Sequence, residues 1–192
     1  MNLVLLSGGL DSTVALAMTV QSGGPTAALA VDYGQRHRKE LMSAEWLADH
    51  YKVSLTILQA PHLRKISTTQ GHGEGTVVPG RNLMLIGLAT AHSLMLGGGR
   101  IILGVNHDDA AGYPDCRMEF LRAAKEAVRL GSDNKCRLVT PLKNLPKAEV
   151  YKMALRLEVP IEDTWSCYEG KELPCGSCGA CQDMAKAVKS CS

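Results

Sequence analysis

Aromatic side chains are scarce in this chain, and so is charge of one sign. Phe, Trp and Tyr together make up 4% of the 192 residues, and there is a single Phe. That scarcity argues against the stacked aromatic platforms that hold single-stranded nucleic acid. The formal net charge is +2, and the one compact basic cluster is Arg36-His37-Arg38-Lys39. Charge therefore gives no reason to expect direct contact with nucleic acid. Long apolar runs are missing too. Leu83 to Leu96 is the longest; it carries His92 and is too short to span a bilayer. The apolar run after Met1 stops at Ser7, shorter than the core of a secretory signal. No membrane partner is expected, and a cytoplasmic location is. No linker, repeat or low-complexity tract interrupts the chain, so a single domain over residues 1–192 is expected.

What is present begins with an alternation. Short apolar runs at Asn2–Leu6, Thr26–Val31, Val53–Leu58 and Arg100–Val105 read as strands. Between and after them lie helical patterns at Ser12–Val20, His37–Tyr51, Leu83–Leu96, Asp115–Leu130, Lys147–Leu157 and Gly179–Lys189. Gln59 to Gly80, with four glycines and two prolines, reads as a long loop. Strands alternating with helices predict an α/β fold, a doubly wound and mostly parallel sheet.

The first strand runs into Ser7-Gly8-Gly9-Leu10-Asp11-Ser12-Thr13 and then a helix. Ligands of doubly wound sheets bind beyond the C-terminal ends of strands. Glycines let backbone approach phosphate oxygens, and a helix N-terminus offers unpaired N–H groups. Residues Leu6 to Thr13 are thus a candidate nucleotide phosphate loop. The bland alternative is a glycine turn with a Ser/Asp helix cap. Asp11 would repel bare phosphate, so its expected task is to hold Mg²⁺ or to fix the loop. The segment is neither a Walker A loop nor a dinucleotide fingerprint, because the later Gly-Lys and the second glycine pair are missing.

Seven cysteines are present, and four of them, Cys167, Cys175, Cys178 and Cys181, are spaced C-x7-C-x2-C-x2-C. In a reducing compartment such a cluster points to metal rather than disulfides. Four thiolates close a tetrahedral Zn²⁺ site, which would be structural and would pin a metal-binding tail, residues 164–192, to the rest. A [4Fe–4S] cluster and unliganded thiols are the alternatives. Cys116, Cys136 and Cys191 need no role.

Ser7-Gly8-Gly9-Leu10-Asp11-Ser12 resembles the PP-loop of ATP pyrophosphatases, which include argininosuccinate synthetases, tRNA thiolation enzymes and NAD synthetases. Further blocks narrow the choice. Asp32-Tyr33-Gly34-Gln35-Arg36-His37, Val78-Pro79-Gly80-Arg81-Asn82 and Gly112-Tyr113-Pro114-Asp115-Cys116-Arg117 resemble motifs of the 7-cyano-7-deazaguanine synthase (QueC) family. So do Thr140-Pro141-Leu142 with Lys147-Ala148-Glu149, Ser166-Cys167-Tyr168, and Cys175-Gly176-Ser177-Cys178 with Cys181. The blocks run in order from residue 3 to residue 181. Ala111 departs from the pattern, standing where Ser is expected.

The resemblance implies a ligase that joins ammonia to 7-carboxy-7-deazaguanine, using ATP through adenylated intermediates, and ends at the nitrile. It implies ATP and Mg²⁺, a structural Zn²⁺, and a homodimer. The alternative enzyme stops at the amide or conjugates another amine. A non-catalytic nucleotide sensor and a tRNA thiolation enzyme are the remaining readings. By motif position Lys147 is a candidate phosphate contact, against a solvated residue in a helix's first turn. Arg36 and Arg81 are candidates for phosphate or substrate carboxylate, against surface ion pairs. Asp115 and Arg117 are candidates for the guanine-like edge or the carboxylate, against a helix cap with a surface Arg. His37 and His107 are weaker candidates as bases.

Overall fold

The computed structural model describes residues 1–34, 38–60, 80–169 and 172–191. Five parallel strands form one sheet in the order β3-β2-β1-β4-β5. They are β1 (Asn2–Leu5), β2 (Thr26–Asp32), β3 (Ser54–Gln59), β4 (Gly99–Ile102) and β5 (Cys136–Val139). The longer helices are α1 (Leu10–Gln21), α2 (Lys39–His50), α3 (Arg81–Met95), α4 (Met118–Gly131), α5 (Lys147–Arg156) and α6 (Gly179–Lys189).

Helices cover both faces, and alternate side chains of each strand serve alternate faces. Val4, Leu6, Ala28, Ala30 and Ile102 pack with Val14, Leu41, Leu47, Val150 and Ala154 from α1, α2 and α5. Leu3, Leu5, Leu29, Ile101 and Leu138 pack on the other side with Ile86 and Ala89 of α3 and Leu121, Ala124 and Val128 of α4. This two-sided burial explains why the inner strands read as unbroken apolar runs.

Strand order reverses at β1: β2 and β3 lie to one side, β4 and β5 to the other. The crossovers leave β1 in opposite directions, which opens a crevice beyond the C-terminal ends of β1 and β4. Gly104 brings the chain after β4 against the first turn of α1. A Cβ there would lie 2.9 Å from the Asp11 carbonyl oxygen and 2.9 Å from Ser12 Cα. The strand accordingly ends at Ile102, earlier than the apolar run to Val105 predicts.

The other elements fall within a few residues of their expected positions, with two differences. β5 is a strand in its own right, in register with β4 (Ile101↔Leu138, Ile102↔Val139). Its four residues with Arg137 among them are too short to carry a periodic signal. The helix expected from Asp115 starts at Met118, because Pro114–Cys116 forms a separate 3₁₀ turn. The expected loop lies mostly at residues 61–79, outside the described residues, as do Arg36 and His37. Among the described residues no helix is long and apolar enough to cross a membrane.

Candidate active site

The phosphate loop lies where the sheet topology opens the crevice. Gly9 precedes α1 and supplies no side-chain cap, so the first-turn amides of the helix have no capping side chain to bind. Ser12 and Thr13 each donate a hydroxyl proton to the Gly9 carbonyl at 2.9 Å. Ser12 Oγ also accepts the Ser7 N–H at 3.2 Å. These hydroxyls therefore shape the loop from within. Gly8 has a φ of +84°, and a Cβ on it would lie 2.2 Å from the Glu40 carbonyl oxygen. Only glycine satisfies both the left-handed backbone and the contact with α2.

Lys147, the first residue of α5, reaches across to the loop. Its Nζ lies 2.6 Å from Asp11 Oδ2, with 16% of the Lys and 24% of the Asp side chain exposed. The second Asp11 oxygen, Oδ1, is buried and has no hydrogen-bond partner among the described residues. The Lys147 N–H donates to Asp108 Oδ2 at 2.9 Å, so a carboxylate from another segment caps α5. Asp108 belongs to a polar turn after β4. Asn106 Oδ1 accepts the N–H groups of Asp108 (2.8 Å) and Asp109 (3.2 Å), and Asp109 Oδ2 accepts the Asn106 N–H at 3.0 Å. Burial, together with the charge of Asp11, pushes the Asp109 carboxyl up to about 6. The sequence reading missed Asn106, Asp108 and Asp109. Their signal was four polar residues directly after a buried run, the same cue that marked Ser7 after β1.

Arg81 opens α3 beside this turn. Burial works against its charged form, but a hydrogen bond with Tyr33 and the influence of Glu40 and Tyr113 outweigh it and raise its pKa. Tyr168 hydrogen-bonds Tyr113, and burial raises the Tyr168 phenol. Three of the chain's five tyrosines thus gather around one half-buried cation. Asp115 accepts the Asn82 N–H at 2.8 Å, capping α3. The Asn82 amide in turn donates to the Asp115 carbonyl and to Cys116 Sγ, each at 3.2 Å. Arg117 is exposed and donates its Nε–H to the Ala110 carbonyl at 3.3 Å. Asp115 and Arg117 therefore hold the polar turn and α3 in place. His107 is also exposed, beside Asp108 at 3.0 Å.

The sulfur atoms of Cys167, Cys175, Cys178 and Cys181 all lie within 4.8 Å of one another, and all four cysteines are free. Cys167 Sγ accepts the N–H groups of Cys175 (3.3 Å) and Glu169 (3.4 Å), and Cys175 Sγ accepts that of Cys178 at 3.3 Å. The donation from Cys178, with further bonds from Ser177, lowers the Cys175 thiol to about 6. The donors and spacing suit a tetrahedral metal ion. This cluster is tied to the phosphate loop: the Trp165 N–H donates to the Gly8 carbonyl at 2.8 Å. The Ser43 hydroxyl lies between that carbonyl (2.9 Å) and the carbonyl of Asp163 and donates to one at a time. Lys39 sits 4.4 Å from the Trp165 ring centre and donates to the Glu172 carbonyl at 2.7 Å.

A family model described as queuosine biosynthesis protein QueC matches residues 1–192. The chain belongs to the QueC family. Among its curated relatives, a 7-cyano-7-deazaguanine synthase of Prochlorococcus marinus (strain NATL2A) is 39% identical, covering 97% of this chain and 92% of the relative. The 7-cyano-7-deazaguanine synthase of Thermoplasma volcanium is also 39% identical, covering 93% of this chain and 82% of that one. Among solved structures, an NMN synthetase from Francisella tularensis superposes with a TM-score of 0.56 at 22% identity. It covers 89% of this chain and 68% of the other, and it shows the shared fold. QueC membership thus rests on the whole chain, from the phosphate loop through the cysteine cluster.

Proposed function

We propose that this chain makes 7-cyano-7-deazaguanine from 7-carboxy-7-deazaguanine, ammonia and ATP. The observation that carries the reading is the pairing of Lys147 with Asp11 over an open phosphate loop at the sheet's reversal point, in a chain matched end to end by the QueC model. A carboxylate resists ammonia because its charge repels a nucleophile and hydroxide leaves poorly. Transfer of AMP to the carboxylate expels pyrophosphate and creates a good leaving group. Attack by ammonia then gives the amide and releases AMP. A second adenylation, on the amide oxygen, allows loss of AMP to leave the nitrile. The protein's part is to position groups and neutralise phosphate charge. The amides at the start of α1 and the Lys147 ammonium face the phosphates, and Arg81 with its tyrosines faces the planar acid. The test is mass spectrometry of a reaction with 7-carboxy-7-deazaguanine, ammonium, Mg²⁺ and ATP. Nitrile with AMP supports the proposal; amide alone would replace it with an amide-forming ligase, and absence of substrate-dependent AMP would reject catalysis.

Mg²⁺ is the proposed metal of the nucleotide. Asp11 Oδ1, buried and without a protein partner, is the oxygen placed to meet it. Zn²⁺ is the proposed resident of the cysteine cluster. With Zn–S bonds of about 2.3 Å the edges of a tetrahedron are about 3.8 Å, and Cys175 and Cys181 stand 4.0 Å apart. A four-iron cube is itself several bonds across and needs its thiolates farther apart. Its role is to hold the tail against the loop. Cys178→Ser is expected to lower bound zinc from one equivalent to below a tenth, and to reduce ATP affinity at least tenfold through the Trp165–Gly8 tie. Metal analysis and calorimetric titration check both; full ATP affinity without zinc would sever the link.

Homodimerisation is assigned to the outer face of α3. Leu83 is 59% and Met95 83% exposed, with Gly87 and Ala91 exposed between them and no charged residue after Arg81 in the helix. An apolar, uncharged face is self-complementary under twofold symmetry. Leu83→Lys with Met95→Lys is expected to halve the mass measured by light scattering.

A further inference from the structure

On the far edge of the sheet from β3, away from the phosphate loop, a cavity of about 290 Å³ lies between α4 and β5. Four cations line it: Arg122, Lys125, Arg129 and Arg137. Among the described residues the one carboxylate lining it, Glu126, is committed to Arg129, with contacts of 2.6 and 2.9 Å. Arg129 is further fixed by donating to Asn134 Oδ1 at 2.5 Å. Arg122, Lys125 and Arg137 have no acidic partner among the described residues. On α5 and α6 the pattern differs, because Lys152 and Lys186 each find a carboxylate three residues away.

The positive band extends past the cavity. Lys143 approaches Lys125 closely enough that burial and its charge together lower the Lys125 pKa. Such crowding of like charge is relieved by an anion. The chain's net charge of only +2 means that this one edge holds more positive charge than the molecule as a whole.

The shape of the band selects the anion. Positions 122, 125 and 129 share one face of α4 at spacings of three and four and cover about 10 Å of helix. One phosphate would engage two or three of these groups; a row that continues onto Arg137 of β5 and Lys143 suits repeated phosphates. Among the described residues no aromatic side chain lines the cavity, and Leu138 is its one apolar member. Base stacking is therefore excluded there, and recognition through the backbone alone remains. We propose that the α4–β5 cleft binds the phosphate backbone of a single nucleic-acid strand without sequence preference, at a site separate from the ATP site.

The test uses the full zinc-loaded chain with saturating ATP, so that the phosphate loop is blocked. A fluorescein-labelled 20-nucleotide RNA is titrated by anisotropy between 50 and 200 mM NaCl. Three unpaired cations predict micromolar binding at low salt, with a slope of about −2 in log affinity against log salt. Arg122→Glu with Lys125→Glu is expected to weaken binding at least tenfold and to flatten the slope, with AMP release unchanged. Should that variant unfold, Arg122→Gln with Lys125→Gln is expected to give an intermediate loss. Absence of binding at 50 mM NaCl, or equal binding by the charge variants, overturns the proposal. So does tight, salt-insensitive competition by pyrophosphate, which would make the cleft a small-anion pocket.

Discussion

Gly8→Ala is expected to abolish ATP binding and to lower the unfolding free energy by about 3 kcal/mol. The estimate combines about 1–2 kcal/mol for a side chain in the left-handed region with about 1–3 kcal/mol for a forced contact. The contact is severe because its nearest atom is backbone: the new Cβ would lie 2.2 Å from the Glu40 carbonyl oxygen and 3.0 Å from the Ala44 nitrogen. No rotamer change relieves it; α2 must move away from the loop. Gly9→Ala separates the two effects. Its Cβ would meet Ser166 Oγ and the Trp165 carbonyl oxygen at 3.5 Å, an ordinary contact. That variant should keep its stability yet weaken ATP binding, because a methyl group intrudes where phosphate approaches. Denaturant titration and calorimetry distinguish the cases. A Gly8→Ala protein with near-normal ATP affinity would mean that the loop does not hold phosphate.

Lys147→Ala is expected to reduce kcat/KM for substrate-dependent AMP release by roughly 100- to 1,000-fold, the range found when one preorganised donor is lost. Stability should fall much less, by about 1–2 kcal/mol, since the Lys147–Asp11 pair is partly open to solvent. Lys147→Arg keeps the charge but not the compact ammonium that fits 2.6 Å from Asp11; it should recover only part of the rate. Rapid-quench measurement of AMP formation is the direct check. Activity within threefold of the unmodified protein would remove Lys147 from the phosphate site.

The parts of this architecture that were legible in the sequence are those encoded over short spans. Leu3–Leu6 and Ala27–Val31 are buried on both faces, so they announce themselves as apolar runs. The phosphate loop and the last three clustered cysteines are also local, each within a single turn. What the sequence hides is contact between distant segments. Lys147 could be placed at a helix start, but not on Asp11. Trp165 gave no sign that its N–H meets Gly8, and Asp115 no sign that it caps α3. The basic cleft was invisible for a different reason. Arg122, Lys125, Arg129 and Arg137 are interspersed with carboxylates and apolar residues along the chain. They become one feature only when α4 is wound and β5 is laid beside it, and a small net charge conceals the segregation.

The hydrogen bond from Trp165 to the Gly8 carbonyl joins the turn after β1 to a segment that follows every strand of the sheet. During synthesis the chain leaves the ribosome N-terminus first. β1 and α1 emerge before the other strands, and the carbonyl at the turn between them can take the Ser43 hydroxyl once α2 has formed, yet the Trp165 N–H reaches it only after all five strands have been made. The nucleotide pocket is therefore completed after the sheet that carries it, although its signature precedes most of that sheet, and a nascent chain reaches its full grip on ATP only once the segment around Trp165 has docked.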